Sequence, residues 1–161
     1  MTKAARFEIR FEPGRVDDGP GEELISAMRD EMALMYDGLQ FDGDTMPKAG
    51  QRELSPPGGD FTVGWVDGEP ICCGGVKRLD GRACEIKRMY VVPSYRGQGV
   101  ARRLLRELED RARALGYSLA RLDTGPRQEG AQHLYESAGY RPIGNFNANP
   151  VASFWGEKPL R

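Results

Sequence analysis

Apolar and polar residues alternate with a period of two over Phe7 to Phe11, which predicts a short edge strand stopped at Pro13-Gly14. From Glu22 to Tyr36 the spacing changes to three and four, through Leu24, Ile25, Met28, Met32, Met35 and Tyr36. That is the pattern of a helix, with Glu22 and Glu23 in the first turn where the dipole favours them. Its methionine-rich face suits either the core or the wall of an acceptor pocket, because methionine adapts its shape. Asp37 to Gly59 has no period and is rich in Gly, Asp, Pro and Ser, predicting a long loop of the kind that usually serves function in a compact domain. Two strand-like runs follow, Asp60 to Val66 and Ile71 to Leu79, separated by the turn Asp67-Gly68. A second turn at Asp80-Gly81 leads into a third run, Glu85 to Val92, closed by Pro93.

The rest of the chain is arranged around the next stretch, Arg96-Gly97-Gln98-Gly99-Val100-Ala101. Beyond it Val100, Leu104, Leu105, Leu108, Ala112 and Leu115 fall on one side of a 3.6-residue period, and Arg102, Arg103, Arg106, Glu109 and Arg113 on the other. Gly116 ends this helix. A strand, a glycine turn and a helix N-terminus make an anion site, since the glycines admit a close ligand and the first N–H groups point at it. With Arg96 beside them, those donors suit a diphosphate. No Lys-Ser or Lys-Thr follows the second glycine, which excludes a P-loop, and a dinucleotide fold would need a third glycine and an acidic residue.

After this helix, Leu119 to Asp123 predicts a strand parallel to its predecessor if the connection is a right-handed crossover. A helix from about Gln128 to Ala138, ended by Gly139, and strands at Tyr140 to Ile143 and Ser153 to Lys158 complete the chain, the last two joined by the loop Gly144 to Pro150. At 161 residues this is enough for one domain, taken as 1–161. The net charge of -1 gives no reason to expect nucleic acid, so the arginines of the central helix read as a solvated face. No apolar run is long enough for a membrane span, and no secretory signal follows Met1 to Arg6, so the expected compartment is the cytoplasm. The three cysteines form neither a disulfide framework nor a CxxC pair, and with His133 the only histidine no metal site is expected.

The glycine turn resembles the Arg/Gln-x-x-Gly-x-Gly/Ala signature of the GCN5-related N-acetyltransferases, matched by Arg96, Gly99 and Ala101. The run Glu85 to Pro93 leading into it is close to the same pattern. A second likeness comes from Gly130 to Tyr140, where Leu134-Tyr135-Glu136 on a helix precedes Gly139-Tyr140. The resemblance covers roughly residues 60 to 160 and leaves the first fifty residues, where this family places much of its acceptor recognition, unmatched. It implies an α/β (α+β) fold with a mixed, mostly antiparallel sheet of about six or seven strands flanked by helices, and a splayed parallel strand pair that holds acetyl-coenzyme A.

The resemblance also implies roles. The N–H groups of Arg96, Gly97, Gln98, Gly99, Val100 and Ala101 would bind the pyrophosphate of acetyl-CoA. If the parallel strands part beyond Tyr90, the backbone of Met89, Tyr90 and Val91 would pair with the pantetheine amides as a sheet edge pairs with a peptide. Gln128 stands where the family often has a coenzyme-contacting asparagine. Tyr135 would be the general acid for the departing thiolate, and its other reading is a core tyrosine on an amphipathic helix. Glu85 would be the base that takes the amine proton, with a salt bridge to Lys87 or Arg88 as the alternative. The expected activity is acetyl transfer to a primary amine of a small molecule, followed by acetylation of a protein α-amine or lysine. From another class, a non-catalytic acyl-CoA sensor would share the fold. No membrane or nucleic-acid partner is expected, and a homodimer is compatible with the sequence.

Overall fold

A computed structural model describes residues 7–128 and 130–161, so Met1 to Arg6 and Glu129 lie outside the described residues. The strands are β1 (Arg10–Pro13), β2 (Asp60–Val66), β3 (Glu69–Arg78), β4 (Ala83–Val91), β5 (Leu119–Thr124), β6 (Arg141–Pro142) and β7 (Phe154–Pro159). They form one seven-stranded sheet in the order β1-β2-β3-β4-β5-β7-β6. Among the described residues only β4 and β5 pair in parallel, and they are connected through α2 (Val100–Ala114). The other helices are α1 (Gly19–Met35) and α3 (Ala131–Ser137).

The element boundaries moved where local chemistry outweighed periodicity. The first helix begins at Gly19 rather than Glu22, because Asp18 caps it by accepting from the Gly19 N–H at 2.8 Å and Pro20 suits the first turn. The first strand is shifted to Arg10–Pro13 and runs to the proline expected to break it, which an edge strand tolerates. The late helix is shorter than expected, beginning at Ala131 after a left-handed Gly130.

Two cores lie on opposite faces of the sheet. On one, Val100, Leu104, Leu105, Leu108 and Ala112 of α2 meet Cys72, Val76, Cys84, Ile86, Ala120 and Leu122. On the other, Leu24 and Ile25 of α1, together with Phe41 and Leu54 of the long loop, meet Phe61, Val63, Cys73 and Tyr90. The adjacent Cys72 and Cys73 therefore point to different cores, as the period of two requires, and all three cysteines are free and buried. Burial pushes the Cys72 and Cys84 thiols up to about 12.

One residue assigned to the solvent face of the central helix is not there. Glu109 is buried, accepting from the Tyr140 hydroxyl at 2.8 Å and from Lys158 Nζ at 3.0 and 3.1 Å. A carboxylate that deep persists because both oxygens have charged or hydroxyl donors. The triad ties α2 to β7 and to the turn between α3 and β6.

Candidate active site

β4 and β5 share register only over Ala83 with Leu119, Cys84 with Ala120 and Glu85 with Arg121. They part after Glu85, earlier than the point beyond Tyr90 expected from the sequence. The cause lies on the other side of β4, where the ladder with β3 slips between Cys73 and Gly75, setting Arg88 and Met89 opposite Gly74. Arg88 adopts a left-handed φ of 59°, which a non-glycine residue rarely takes. An extra residue of this kind bends a strand and raises its twist, and here it carries the second half of β4 away from β5.

Two cavities occupy the resulting wedge. A cleft of about 750 Å³ runs from the N-terminus of α2 past Met89, Tyr90 and Val91 to Tyr135. A smaller pocket of about 80 Å³ has Lys87, Arg88 and Asp123 in its wall and Phe41 and Met46 of the long loop over it. Met28, Met32, Met89, Gln128 and Tyr135 border both. The methionine face of α1 thus divides its work: Leu24 and Ile25 belong to the core, and the methionines line the cavities.

At the far end of the cleft, Gly97 and Gly99 have φ of 74° and 81°, and a Cβ on either would meet no protein atom within 4 Å. Gly99 caps α2, and the first bond of the helix runs from the Arg103 N–H to the Gly99 carbonyl at 3.2 Å. The N–H groups of Val100, Ala101 and Arg102 are therefore outside the ladder, uncapped by any side chain, at the positive end of a 15-residue helix that opens on the cleft. An elongated anion fits this cradle. Arg96 is more engaged than expected: its Nε donates to the Val91 carbonyl at 2.8 Å and its Nη2 to Glu31 of α1 at 2.8 Å. Gln98 turns its amide back to the Ser94 carbonyl at 3.1 Å, so only its backbone belongs to the turn's donors.

Tyr135 is buried where the cavities meet, with its hydroxyl 3.9 Å from Met89 Sδ. Burial, and then the charge of Asp123, push its phenol up to about 12. It stays a protonated donor at any ordinary pH. Gln128 organises the turn after β5, its Oε1 accepting from the Gly125 N–H at 2.9 Å and the Thr124 hydroxyl at 3.3 Å. His133 is exposed, and no cluster of three or more His, Cys, Asp or Glu able to hold a metal occurs among the described residues.

Glu85 lies behind the pocket and not in its wall. Its side chain is 0% exposed, with Oε2 3.2 Å from Lys87 Nζ and 2.8 Å from Asn147 Nδ2. Its Oε1 is buried with no hydrogen-bond partner among the described residues. Burial pushes its carboxyl up, opposed by Lys87 and reinforced by Asp123. Asn147 holds the two carboxylates together: the same Nδ2 donates to Asp123 Oδ2 at 2.6 Å, and Asn149 Nδ2 adds a bond at 3.0 Å. Trp155 Nε1 donates to Asn147 Oδ1 at 3.0 Å, which fixes which way that amide points.

Asp123, Arg88 and the asparagines of the last loop gain a place that the sequence did not give them. Asp123 had a usable signal, since it ends a strand beside the glycine-turn strand, where open α/β sheets gather ligands.

A family model for the acetyltransferase (GNAT) family matches residues 25–140. The chain belongs to this family. An N-acetyltransferase of Bacillus subtilis, YsnE, itself uncharacterised, is 30% identical over 149 residues, covering 89% of this chain and 97% of its own length. The IAA acetyltransferase of Azospirillum brasilense is 37% identical over 113 residues, 68% of this chain and 73% of that protein. The N-alpha-acetyltransferase RimI of Mycobacterium tuberculosis is 34% identical over 102 residues, 61% of this chain and 62% of its own. Among solved structures, one from Klebsiella pneumoniae, named provisionally as an acyl-CoA N-acyltransferase, superimposes with a TM-score of 0.77 at 27% identity over 95% of this chain and 98% of that one. A GNAT acetyltransferase from Elizabethkingia anophelis with acetyl-CoA bound shares the fold, with a TM-score of 0.67 at 18% identity over 94% and 98% of the two chains. Membership of this GNAT family implies acyl transfer, with coenzyme A as the family's carrier.

Proposed function

We propose that the chain is a single-domain, acetyl-CoA-dependent N-acetyltransferase that passes the acetyl group directly to a primary amine of a small molecule while both are bound. One observation carries this reading: Tyr135 and Met89 stand at the meeting of a long cleft that ends on the N-terminus of α2 and a short polar pocket on the other side. Acetyl-CoA supplies an acyl carbon already activated as a thioester. The chain's part is to place it. The free amides of Val100 to Arg102 take the phosphates, and the unpaired edge of β4 around Met89 to Val91 takes the amides of the pantetheine arm. Such positioning supplies much of the rate of a two-substrate reaction.

As the new carbon-nitrogen bond forms and the carbon-sulfur bond breaks, the Tyr135 hydroxyl gives its proton to the leaving sulfur. The amine must lose a proton to attack. Glu85 is the base of this proposal, its carboxyl made more basic by burial and connected to the pocket through Lys87. The contact at 3.2 Å with Lys87 favours a second role for Glu85, that of a fixed ion-pair partner.

The small pocket, covered by α1 and the long loop, supports a small acceptor, whereas the likeness to RimI favours a peptide α-amine. A panel of amines and peptides incubated with acetyl-CoA, read by thiol release, decides between them. Faster release with peptides replaces the small-molecule reading. No release with either, while coenzyme A still binds, replaces catalysis with a binding role.

A further inference from the structure

Resting on the acetyl-transfer reading above, we propose that the acceptor is an amine that also carries a carboxylate on an apolar body, as an amino acid does, with Arg88 reading the carboxylate and Asp123 the ammonium.

Arg88 is an unusual cation to find in a strand interior. Its backbone takes the left-handed φ of 59° at the bulge, and its side chain, 9% exposed, lies with the guanidinium 3.8 Å above the Phe41 ring centre. Cation-π stacking and burial hold the fork in one plane. Among the described residues its one hydrogen-bond acceptor is Asp42 Oδ1, at 3.3 Å, and Asp42 is half-exposed and is bound more closely by Arg29 at 2.8 Å. A guanidinium has five donors, so most of this one's capacity is unspent in the wall of the pocket. A planar, pre-oriented cation with free donors is the group that binds a carboxylate through two parallel bonds.

In the wall of the same pocket, Asp123 is held by the last loop. Oδ2 receives Asn147 and Asn149, and no donor among the described residues reaches Oδ1. That leaves one carboxylate oxygen for an ammonium group before it gives up its proton, on the side of the pocket that borders Tyr135. Lys87, the other cation in this wall, is already matched by Glu85. Met28, Met32, Phe41 and Met46 are among the apolar residues of the wall, which accept an apolar body of variable shape. Opposite charges in the wall of one pocket select a molecule carrying both, and penalise an amine without an acid group by leaving most of the Arg88 donors without an acceptor.

The test compares matched pairs that differ by the carboxylate and are small enough for a pocket of about 80 Å³, such as alanine with ethylamine and 2-aminobutyrate with propylamine, by thiol release from acetyl-CoA. The expected result is a kcat/KM for the amino acid about 10–100-fold above that of its amine, the scale of charge-assisted hydrogen bonding. Arg88→Gln should bring the ratio of the two constants towards one. If that variant does not fold, Arg88→Lys, which keeps the charge and loses the two-pronged fork, carries the test through the same fall in the ratio. Equal or better turnover of the plain amines overturns this inference and leaves acetyl transfer to a small amine standing. Absence of thiol release from every pair, with coenzyme A still bound in calorimetry, overturns both.

Discussion

At the scale of single residues, the site depends on polar groups whose surroundings are mostly apolar. Among the described residues Tyr135 makes one side-chain hydrogen bond, a weak one at 3.9 Å, to a thioether, so Tyr135→Phe removes little that holds the fold together. The variant should keep coenzyme affinity and lose turnover by ~10²–10⁴-fold, the range for a positioned acid, in a single-turnover assay. A loss below about twofold would make Tyr135 structural. Glu85 has a second consequence, in stability. Its carboxyl lies above the ordinary value of 4.5 because burial disfavours its charge, so between 4.5 and the raised value the folded chain binds more protons than the unfolded one. This contribution is fully present below 4.5 and is lost as pH rises through the raised value. Glu85→Gln should therefore flatten that fall when denaturation is followed from acid to neutral pH. In the same variant, a rate deficit at neutral pH that recovers at high pH marks Glu85 as the base. Profiles of unchanged shape mark an ion-pair partner of Lys87.

At the scale of elements, the bulge in β4 and the glycine turn before α2 do complementary work. The bulge ends the parallel ladder at Glu85 and Arg121, which opens the wedge, and the turn aims the free amides of α2 into it. Gly99 at φ 81° has a structural reason to be glycine, apart from the coenzyme contact proposed for it. Gly99→Ala should lower stability by about 1–2 kcal/mol, the cost of a left-handed alanine. Its Cβ would meet only open space in the protein, so any further loss, in coenzyme affinity by calorimetry, reports a ligand at that spot. Affinity equal to the wild type would move the phosphate site elsewhere. The Arg96 pair with Glu31 places a competing carboxylate at the mouth of the cleft and ties the turn to α1.

At the scale of the whole molecule, α1 and α2 each cover one face of the sheet, and the parted strands are where neither helix can close it. The Glu109 triad holds β7 to α2 at the back of this gap. Lys158→Met leaves a buried carboxylate with the Tyr140 hydroxyl alone, and thermal denaturation should show a loss of about 1–3 kcal/mol. Turnover at low temperature should change little by comparison, because no member of the triad borders either cavity.

The sequence by itself determined the order of elements, the glycine turn before α2 and the family, since each is written locally: β2 was read to the residue, and α2 to within one, by periods of two and 3.6 and by glycines that end a helix. It determined the Met89 to Ala101 wall and the Tyr135 helix for the same reason. Only the tertiary structure decided where the parallel strands part, because that depends on a slip of register against β3, and register is a relation between strands. It alone buried Glu109 on a face that the helical period assigned to water, through partners 31 and 49 residues away in the chain. It alone brought Glu85 and Asp123 together on the Asn147 amide, behind the pocket that Arg88 and Asp123 line, across sequence separations of 62 and 24 for the bridge, distances over which no local pattern carries information.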